Sequence, residues 1–557
     1  MYLRASRSGG HTYLRLVESF RDATGCSRQR QIAQLGRADQ LSAEQVDGLI
    51  AGLLKATGRA LPVPIDGTAH FEAAREVGRC WVLSELWRSL GLDRSIAQAL
   101  RTSRRQFDAE ALVRVMVFNR LCDPESKLGV LRWLDGVVVP GIEASSITYP
   151  HLLRAMDALI DNREKLESAL AGLMRPLIDS ELSVVFYDLT TIRIHGAGEQ
   201  DEDVRRFGLS KDVDGIARQF VLGVIQSADG LPLSFEVYEG NVSEGKTLLP
   251  MIQRCLAHYP IRRVILVADR GLLNLDNVAA LEALRLPHDG TLEYILAVPA
   301  MRYADFATSI ESLNFAQDEP SVRETRHDER RLVVAHDPLM AQHKTDRRQA
   351  KIDEVIALGD SLAAKLDAQD RGKSRRGRRA SDRGAYLRFT RRILDEHLGR
   401  YIKADLKAER FTFEVDEAAL GKARRLDGKL VLLTNVEDAS AETIVERYKS
   451  LADIERGFRV LKSDIEIAPV YHRLPDRIRA HAFICFLALV LHRVMRMRLR
   501  IRQPGTSVER ALEQLQSIQL HRVRVGNKPL TGLTTMTQTQ LALFTDLETQ
   551  RPDATRL

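Results

Sequence analysis

The sequence predicts an α/β fold: a mixed sheet with helices on its faces, preceded by a small β-hairpin/α module and an all-α region, and split by a large insertion. Three observations carry this expectation. From residue 182 onward, β-branched and aromatic runs replace a long helical texture. Those runs alternate with helical segments in the order strand-strand-strand-helix-strand-helix-strand, which suits a hairpin meander followed by α-linked strands. Far downstream, the apolar run 482–491 needs a sheet as its packing partner.

Residues 1–57 read as a compact module in which YLRASRS and HTYLRLVESF flank Gly9-Gly10, a two-residue hairpin signal. RQRQIAQLG gives a third strand, and Ser42-Ala-Glu-Gln opens a helix with a capping-box pattern. Residues 58–70 hold Pro62 and Pro64 and read as a linker. Over 71–180 the periodicity is helical, as in AREVGRCWVLSELWRSLGL, and no strand is expected. The α/β core is expected over 181–300 and 441–500, with strands LSVVFYDLTTIRI, RQFVLGVIQS, LPLSFEVYEG, RVILVAD and EYILAVP. The inserted domain, 301–440, carries a charged helix, the basic run RGKSRRGRR and the strands ERFTFEVD and GKLVLLTNV. Residues 501–557 read as a helical tail for DNA or dimer contacts.

Lys and Arg exceed Asp and Glu by 82 to 75, a net charge of +7, which is modest for 557 residues and equally compatible with a nucleic-acid partner and an ordinary basic enzyme. The five cysteines are scattered without a C-x-x-C pair, which argues for a reduced compartment and against a disulfide framework or structural zinc. MYLRASRSGG is polar and charged rather than signal-like, and the apolar run 482–491 is too short to span a bilayer. A soluble, cytoplasmic protein is expected, with no membrane partner.

Asp188 lies inside the strand VVFYDLTT and Asp269 ends RVILVAD. A carboxylate in a buried strand is costly unless it is paired, capping or bound to a cation. Either alone has an ordinary explanation, but two on neighbouring strands point to the carboxyl-end site of an open α/β sheet. A third acid comes from RYKSLADIERGFRVLKSD, read as one helix over 447–464. Tyr448, Glu455 and Lys462 are spaced seven apart, so successive members share a face to within about 20°. The apolar stripe Leu451, Ile454, Phe458, Leu461 and Ile465 puts Glu455 at its edge and Asp453 toward solvent. Two Asp and a Glu are hard oxygen donors suited to Mg²⁺, or Mn²⁺ in its place. A pair of such ions activates a water or a 3′-hydroxyl and stabilises the leaving oxygen of a phosphodiester.

The order of elements, YDLTT, ADRG and the Tyr448/Glu455/Lys462 spacing resemble the DDE transposases of insertion sequences, in particular the group with a β-rich insertion and a Tyr-Arg-Glu-Lys signature, Y-x2-R-x3-E-x6-K. Leu451 stands at the signature's Arg position, which leaves that DNA contact open to Arg447, Arg456 or Arg459. The resemblance implies an RNase H-like core in which Asp188, Asp269 and Glu455 are the catalytic, metal-binding acids. It implies two Mg²⁺ ions, cleavage at the terminal inverted repeats, strand transfer into target DNA, and a homodimer in the synaptic complex. Tyr448, Lys462, Arg459 and Arg456 would bind DNA, and the basic run reads either as a solvated loop or, through Arg375, Arg376, Arg378 and Arg379, as a clamp on DNA phosphates. A nucleic-acid enzyme of this kind is expected in the cytoplasm, at the nucleoid. Two other readings share the same acids: an RNase H-like nuclease or resolvase without strand transfer, and an inactive DNA-binding derivative.

Some relatives stack a flipped base on a Trp of the insertion; here Trp81, Trp87 and Trp133 all precede the core. Tyr386, Phe389 and Tyr401 are read as packing residues. Arg101, Arg104 and Arg105 open a helix and read as phosphate contacts or a solvated helix start. Arg493, Arg496, Arg498, Arg500 and Arg502 read either as a DNA track or as an exposed helix end. Asn241, Glu244 and Thr247 read as a helix-capping turn ahead of a place near the site, and His195 as a structural histidine ahead of a ligand.

Overall fold

A computed structural model describes residues 2–21, 27–57, 69–101, 107–177, 182–195, 203–209, 215–243, 246–259, 263–268, 275–284, 291–316, 318–372, 380–406, 409–526 and 528–554. At 8, 27–28, 43–44, 55, 177, 182–183, 275–277, 291 and 452–456 the description covers the backbone alone.

The N-terminal elements are β1 (Tyr2–Ser8), β2 (His11–Arg21), β3 (Ser27–Arg37) and α1 (Ala43–Ala56). The strands form an antiparallel sheet in the order β1-β2-β3. Gly9 and Gly10, at φ +57° and +81°, make its first turn, a conformation glycine enters without strain. The capping box forms: Ser42 Oγ accepts from the Gln45 N–H at 3.2 Å, and Gln45 Oε1 accepts from the Ser42 N–H at 3.0 Å.

Next come β4 (Ala69–Glu76), α2 (Gly78–Ser89), α3 (Leu92–Ala99), α4 (Ala109–Cys122), α5 (Lys127–Gly136), α6 (Tyr149–Asp161) and α7 (Arg163–Met174). The central unit adds β5 (Leu182–Arg193), β6 (Arg206–Leu209), β7 (Ile216–Ser227), β8 (Pro232–Glu239), α8 (Leu248–His258), β9 (Arg263–Ala268), α9 (Leu275–Ala283), β10 (Thr291–Ala297) and α10 (Ala307–Glu311). It continues through β11 (Ser321–His327), β12 (Arg330–His336), α11 (Pro338–Asp370), α12 (Asp382–Asp395), β13 (Ile402–Asp405), β14 (Thr412–Val415), α13 (Glu417–Leu426) and β15 (Lys429–Thr434). The chain then forms α14 (Ala441–Lys449), α15 (Ala452–Ser463), α16 (Pro475–Arg502), α17 (Val508–Gln516), β16 (Gln519–Val525), β17 (Lys528–Leu533) and α18 (Gln538–Asp546).

A nine-stranded mixed sheet organises the centre in the order β11-β12-β15-β10-β9-β5-β7-β6, with β8 also on β7. β5 runs parallel to β9, and β9 to β10, while β5-β7 and β7-β8 are antiparallel. The insertion is less separate than its sequence predicts. Its hairpin β11-β12 and strand β15 extend the central sheet, because Leu332–Val334 and Val431–Leu433 are apolar runs buried on both faces. The part with its own core is α11 to α13, where Phe389, Phe411, Ile352, Val355 and Leu420 pack together.

Two expectations are corrected at the chain ends. The region from 71 is not helix alone, since β4 covers 69–76; and the tail after 501 is not all helical, since it contains β16 and β17. These strands explain each other. β4 reads AHFEAARE, a helix-favouring composition, and becomes a strand because HRVRV of β16 supplies its ladder, from Glu76↔Gln519 to Ala69↔Val525. Trp81 Nε1 donates to the Gln550 carbonyl at 2.7 Å across the same junction.

α16 joins the layers. By length and composition it could cross a membrane, but 94% of its apolar window is buried. It packs on α4 and α6 on one side and on β8 and α15 on the other, so the α-helical region and the sheet share one core. The four described cysteines are free and buried. Burial pushes the Cys255 thiol up to about 12 and the Cys485 thiol up to about 11, leaving both unreactive.

Lys127 lies in this shared core, and burial, helped by the neighbouring Arg120 charge, pushes its ammonium down to about 7 from its usual 10.5. The unfolded chain therefore binds more protons between those values, and stability rises with pH across that interval. Lys127→Met should be more stable than wild type at pH 6, by up to roughly 5 kcal/mol on the linkage relation. The gap should close toward pH 10, as measured by chemical denaturation at the two pH values.

Candidate active site

Asp188 sits on β5, half-buried, with Oδ1 accepting from the Leu189 N–H at 2.7 Å. Its strand neighbours define two faces. Val184 and Phe186 pack in a cluster with Ile265, Val267, Ile444 and Val445, whereas Val185, Tyr187 and Leu189 belong to the main core. Strand alternation therefore places Asp188 on the face that α14 covers. Behind it, Tyr187 donates to Thr247 Oγ1 at 2.7 Å and Tyr238 donates to the Thr247 carbonyl at 3.1 Å. Burial pushes both phenols well up. Thr247 makes no side-chain cap for α8; it ties that helix to β5. Asn241 is exposed, and Glu244 lies outside the described residues.

The parallel register of β5 and β9 runs from Leu182↔Arg263 to Tyr187↔Ala268. The next residues in sequence are Asp188 and Asp269. Asp269 lies outside the described residues, as do Arg104 and Arg105, and Arg375, Arg376, Arg378 and Arg379 of the basic run.

The single helix expected over 447–464 is two helices. α14 ends at Lys449 and α15 begins at Ala452. Ser450 Oγ donates back to the Glu446 carbonyl at 3.1 Å, a bond that loosens a helix end. Leu451 is buried among Ala441, Ile444, Val445 and sheet residues of the smaller cluster, while Phe458, Leu461 and Ile465 belong to the main core. The apolar stripe thus divides between two cores, and the helix is interrupted where it divides. Tyr448 lies on α14, half-buried against the smaller cluster, and Glu455 and Lys462 lie on α15. Leu451, at the signature's Arg position, is a core residue. Arg447, one turn earlier, has Nη1 buried without a hydrogen-bond partner.

Exposure along α15 locates its inner side. Gly457, Phe458, Val460 and Leu461 are buried, Arg459 and Ser463 are exposed, and Lys462 is intermediate. Glu455, seven residues before Lys462, therefore occupies a boundary position on the helix. Asp453 stands seven before the buried Val460. α15 packs on both β5 and α16. The side chains of Asp453, Glu455 and Arg456 lie outside the described residues.

Other sequence candidates fall away from the site. Phe389 is fully buried against Phe411 and Phe413, and Arg348 lies over the Tyr401 ring at 5.5 Å. Arg493 is buried, and Arg498 donates to the Leu547 carbonyl at 2.6 Å, so these two do not form an exposed DNA track. His195 is exposed and lies beside Tyr471, the rings tilted by 31° with centroids 5.6 Å apart. Asp464, His492 and Glu509 are near enough to hold a metal, but His492 Nε2 bonds Glu509 at 2.9 Å while Nδ1 is buried without a partner. An ordinary imidazole–carboxylate hydrogen bond accounts for the His492–Glu509 contact.

Beside Tyr448 opens a cleft of about 650 Å³, lined by Arg323, Lys344, Lys429, Lys449, Glu442 and Tyr448 among others. Burial pushes the Lys429 ammonium down. Sequence reading missed this cleft because β11-β12 and α11 form its far wall. It also missed Gln226 and Arg493 as buried polar neighbours of α15; the signal available was Gly457, a glycine inside a helix.

Residues 179–491 match the transposase DDE domain, and residues 3–64 match the N-terminal domain of the IS1634 family of transposases. A similar solved structure is the Drosophila P element transposase strand transfer complex, 11% identical, covering 77% of this chain and 99% of that chain with a TM-score of 0.21. No curated protein matches. The two domain matches define an enzyme that cuts phosphodiester bonds in DNA and transfers the cut end. The chain belongs to the DDE transposase family, as an insertion-sequence transposase. Enzymes of this family generally use divalent metal ions.

Proposed function

We propose that Asp188, Asp269 and Glu455 are the catalytic acids, carried by an RNase H-like core, and that they act with Mg²⁺. The observation that carries this is the β5/β9 register, which brings the two chains side by side up to the residue before each aspartate. The order β8-β7-β5-β9-β10, antiparallel on one side of β5 and parallel on the other, supports the RNase H-like assignment. α15 packs against β5, which puts the helix of Glu455 over the same strand. Three carboxylates form an all-oxygen donor set, which fits a hard cation. Bound Mg²⁺, as two ions or with Mn²⁺ in its place, supplies an activated water or 3′-hydroxyl and neutralises charge on the leaving oxygen.

In this reading Asp188 is held ready by its backbone hydrogen bond and by the Tyr187–Thr247 clamp behind the strand. Tyr448, Lys462 and Arg459 contact the DNA backbone, with Arg456 and the four arginines of the basic run. Arg447 takes over from the displaced signature Arg. DNA phosphates follow the cleft beside Tyr448, which Lys344 and Lys449 both line. The N-terminal module and the helical region bind transposon ends, synapsis uses a homodimer, and the enzyme works in the cytoplasm at the nucleoid.

Incubating the protein with DNA carrying the element's terminal inverted repeats tests this. Mg²⁺ should give nicks at the ends and joined products with a target plasmid, and EDTA should give neither. Nicks without joining would favour a nuclease or resolvase instead. For the cleft, Lys344→Ala with Lys449→Ala should weaken end binding across all sequences. It should also flatten the slope of log K against log salt by about 1.8 if each lysine neutralises one phosphate. An unchanged slope in a salt titration would remove the cleft from the DNA path.

A further inference from the structure

Gly457 lies on the inner side of α15, where glycine costs helix stability relative to alanine, so a packing reason is required. The packing partner is polar. A Cβ at Gly457 would meet Gln226 Nε2 at 2.7 Å and Arg493 Nη2 at 2.9 Å. Gln226 is fully buried on β7, and neither Nε2 nor Oε1 has a hydrogen-bond partner. It pairs across the strands with Phe186, two residues before Asp188, and so shares the Asp188 face. Arg493, 3% exposed, comes from α16, and its guanidinium also lies 3.5 Å from the Cβ position of Gly230 in the β7-β8 turn. Two glycines thus flank one buried guanidinium, and α15 rests at Gly457 on the tips of two confined polar side chains.

We propose that Gly457 is a positioning residue for strand cleavage, whose missing side chain lets α15 settle onto Gln226 and Arg493 and so fixes the height of Glu455 above Asp188. The inference rests on the assignment of Glu455 as a catalytic acid. Retaining an unsatisfied buried amide disfavours the fold, so the Gln226 contact is explained by what it does for α15. An added methyl at 457 displaces the Gln226 and Arg493 tips or lifts the helix, and the burial of both side chains favours the lift. A shift of about 1 Å at a carboxylate of this kind is enough to slow the chemistry strongly.

The test is a cycle of Gly457→Ala, Gln226→Ala and the double variant in the full-length protein, with Mg²⁺ titrations of end cleavage under single-turnover conditions. Gly457→Ala should cleave about 10-fold or more slowly and need more Mg²⁺ for half-maximal rate. Its thermal midpoint should be unchanged or higher, because alanine favours the helix, and its end binding in Ca²⁺ should be unchanged. Gln226→Ala alone should cleave more slowly than wild type, because α15 loses one of its two supports, and in the double variant the added methyl takes up part of the space opened and should bring the rate above that of Gly457→Ala. Wild-type cleavage by Gly457→Ala, loss of its fold, or a double variant no faster than Gly457→Ala would each overturn the proposal. Active Glu455→Gln would instead refute the catalytic assignment beneath it, so the two failures are distinguishable.

Discussion

Glu455→Gln should abolish Mg²⁺-dependent end cleavage, by about 10³-fold or more in single-turnover rate, while leaving end binding nearly intact. The substitution keeps size and helix preference, so α15 should stay where it is. It removes one anionic oxygen donor from a set of three, which weakens metal binding and the charge stabilisation that depends on it. End binding draws on many cationic contacts that the change does not touch. Cleavage in Mg²⁺ and mobility shift in Ca²⁺, run on the same preparations, separate the two effects. The comparison is Asp453→Asn, two residues away on α15. Its position shares the phase of buried Val460, so a stability loss is compatible with the fold, but cleavage should continue. A dead Asp453→Asn beside an active Glu455→Gln would reverse the choice between the two acids.

The parts of this fold legible in the sequence are those set by local chemistry. β5, β7, β8, β9 and β10 each carry a β-branched, apolar run long enough to be a buried strand, and the hairpin at Gly9-Gly10 needs only its turn. Asp188 stood out because a carboxylate inside such a run requires a reason. What escaped was set by distant partners. β11 reads SVRETRH, charged and unremarkable, and is a strand because β12 pairs with it. Helical phase matched the buried Phe458 and Leu461 of α15 but did not carry across Ser450 and Leu451, because a periodicity argument assumes one straight helix. Leu451 has the same composition whether it continues a stripe or sits at a helix break, and only the second apolar cluster distinguishes the two. The buried Gln226 was invisible for a similar reason, since β7 reads as a plain apolar strand, and Arg493, read as a DNA track or an exposed helix end, is buried by distant partners.

Gly78→Val should be the most damaging single change outside the chemistry. β4 and β16 are joined only through tertiary pairing, and Gly78 follows at the start of α2, where the Val77 and Gly78 N–H groups both donate to the Ile518 carbonyl at 2.9 and 3.2 Å. A Cβ at Gly78 would stand 2.1 Å from the Leu515 carbonyl oxygen and 2.9 Å from Ile518 Cβ. Unlike the tips facing Gly457, these are backbone and a β-carbon of the α17-β16 junction, so relief requires moving α17 or breaking the pair of hydrogen bonds. Overpacking of this kind costs about 3 kcal/mol or more, which for a unit of this size lowers the thermal midpoint by about 5–10 °C. The loss should be regional. Limited proteolysis should open the chain near β16-β17 before it attacks the nine-stranded sheet, since the β5-β9 pairing does not pass through this junction. At low temperature the variant should keep measurable end cleavage. A midpoint within 1 °C of wild type would show that α17 yields at little cost, and that the link between the helical region and the C-terminal strands is looser than its hydrogen bonds imply.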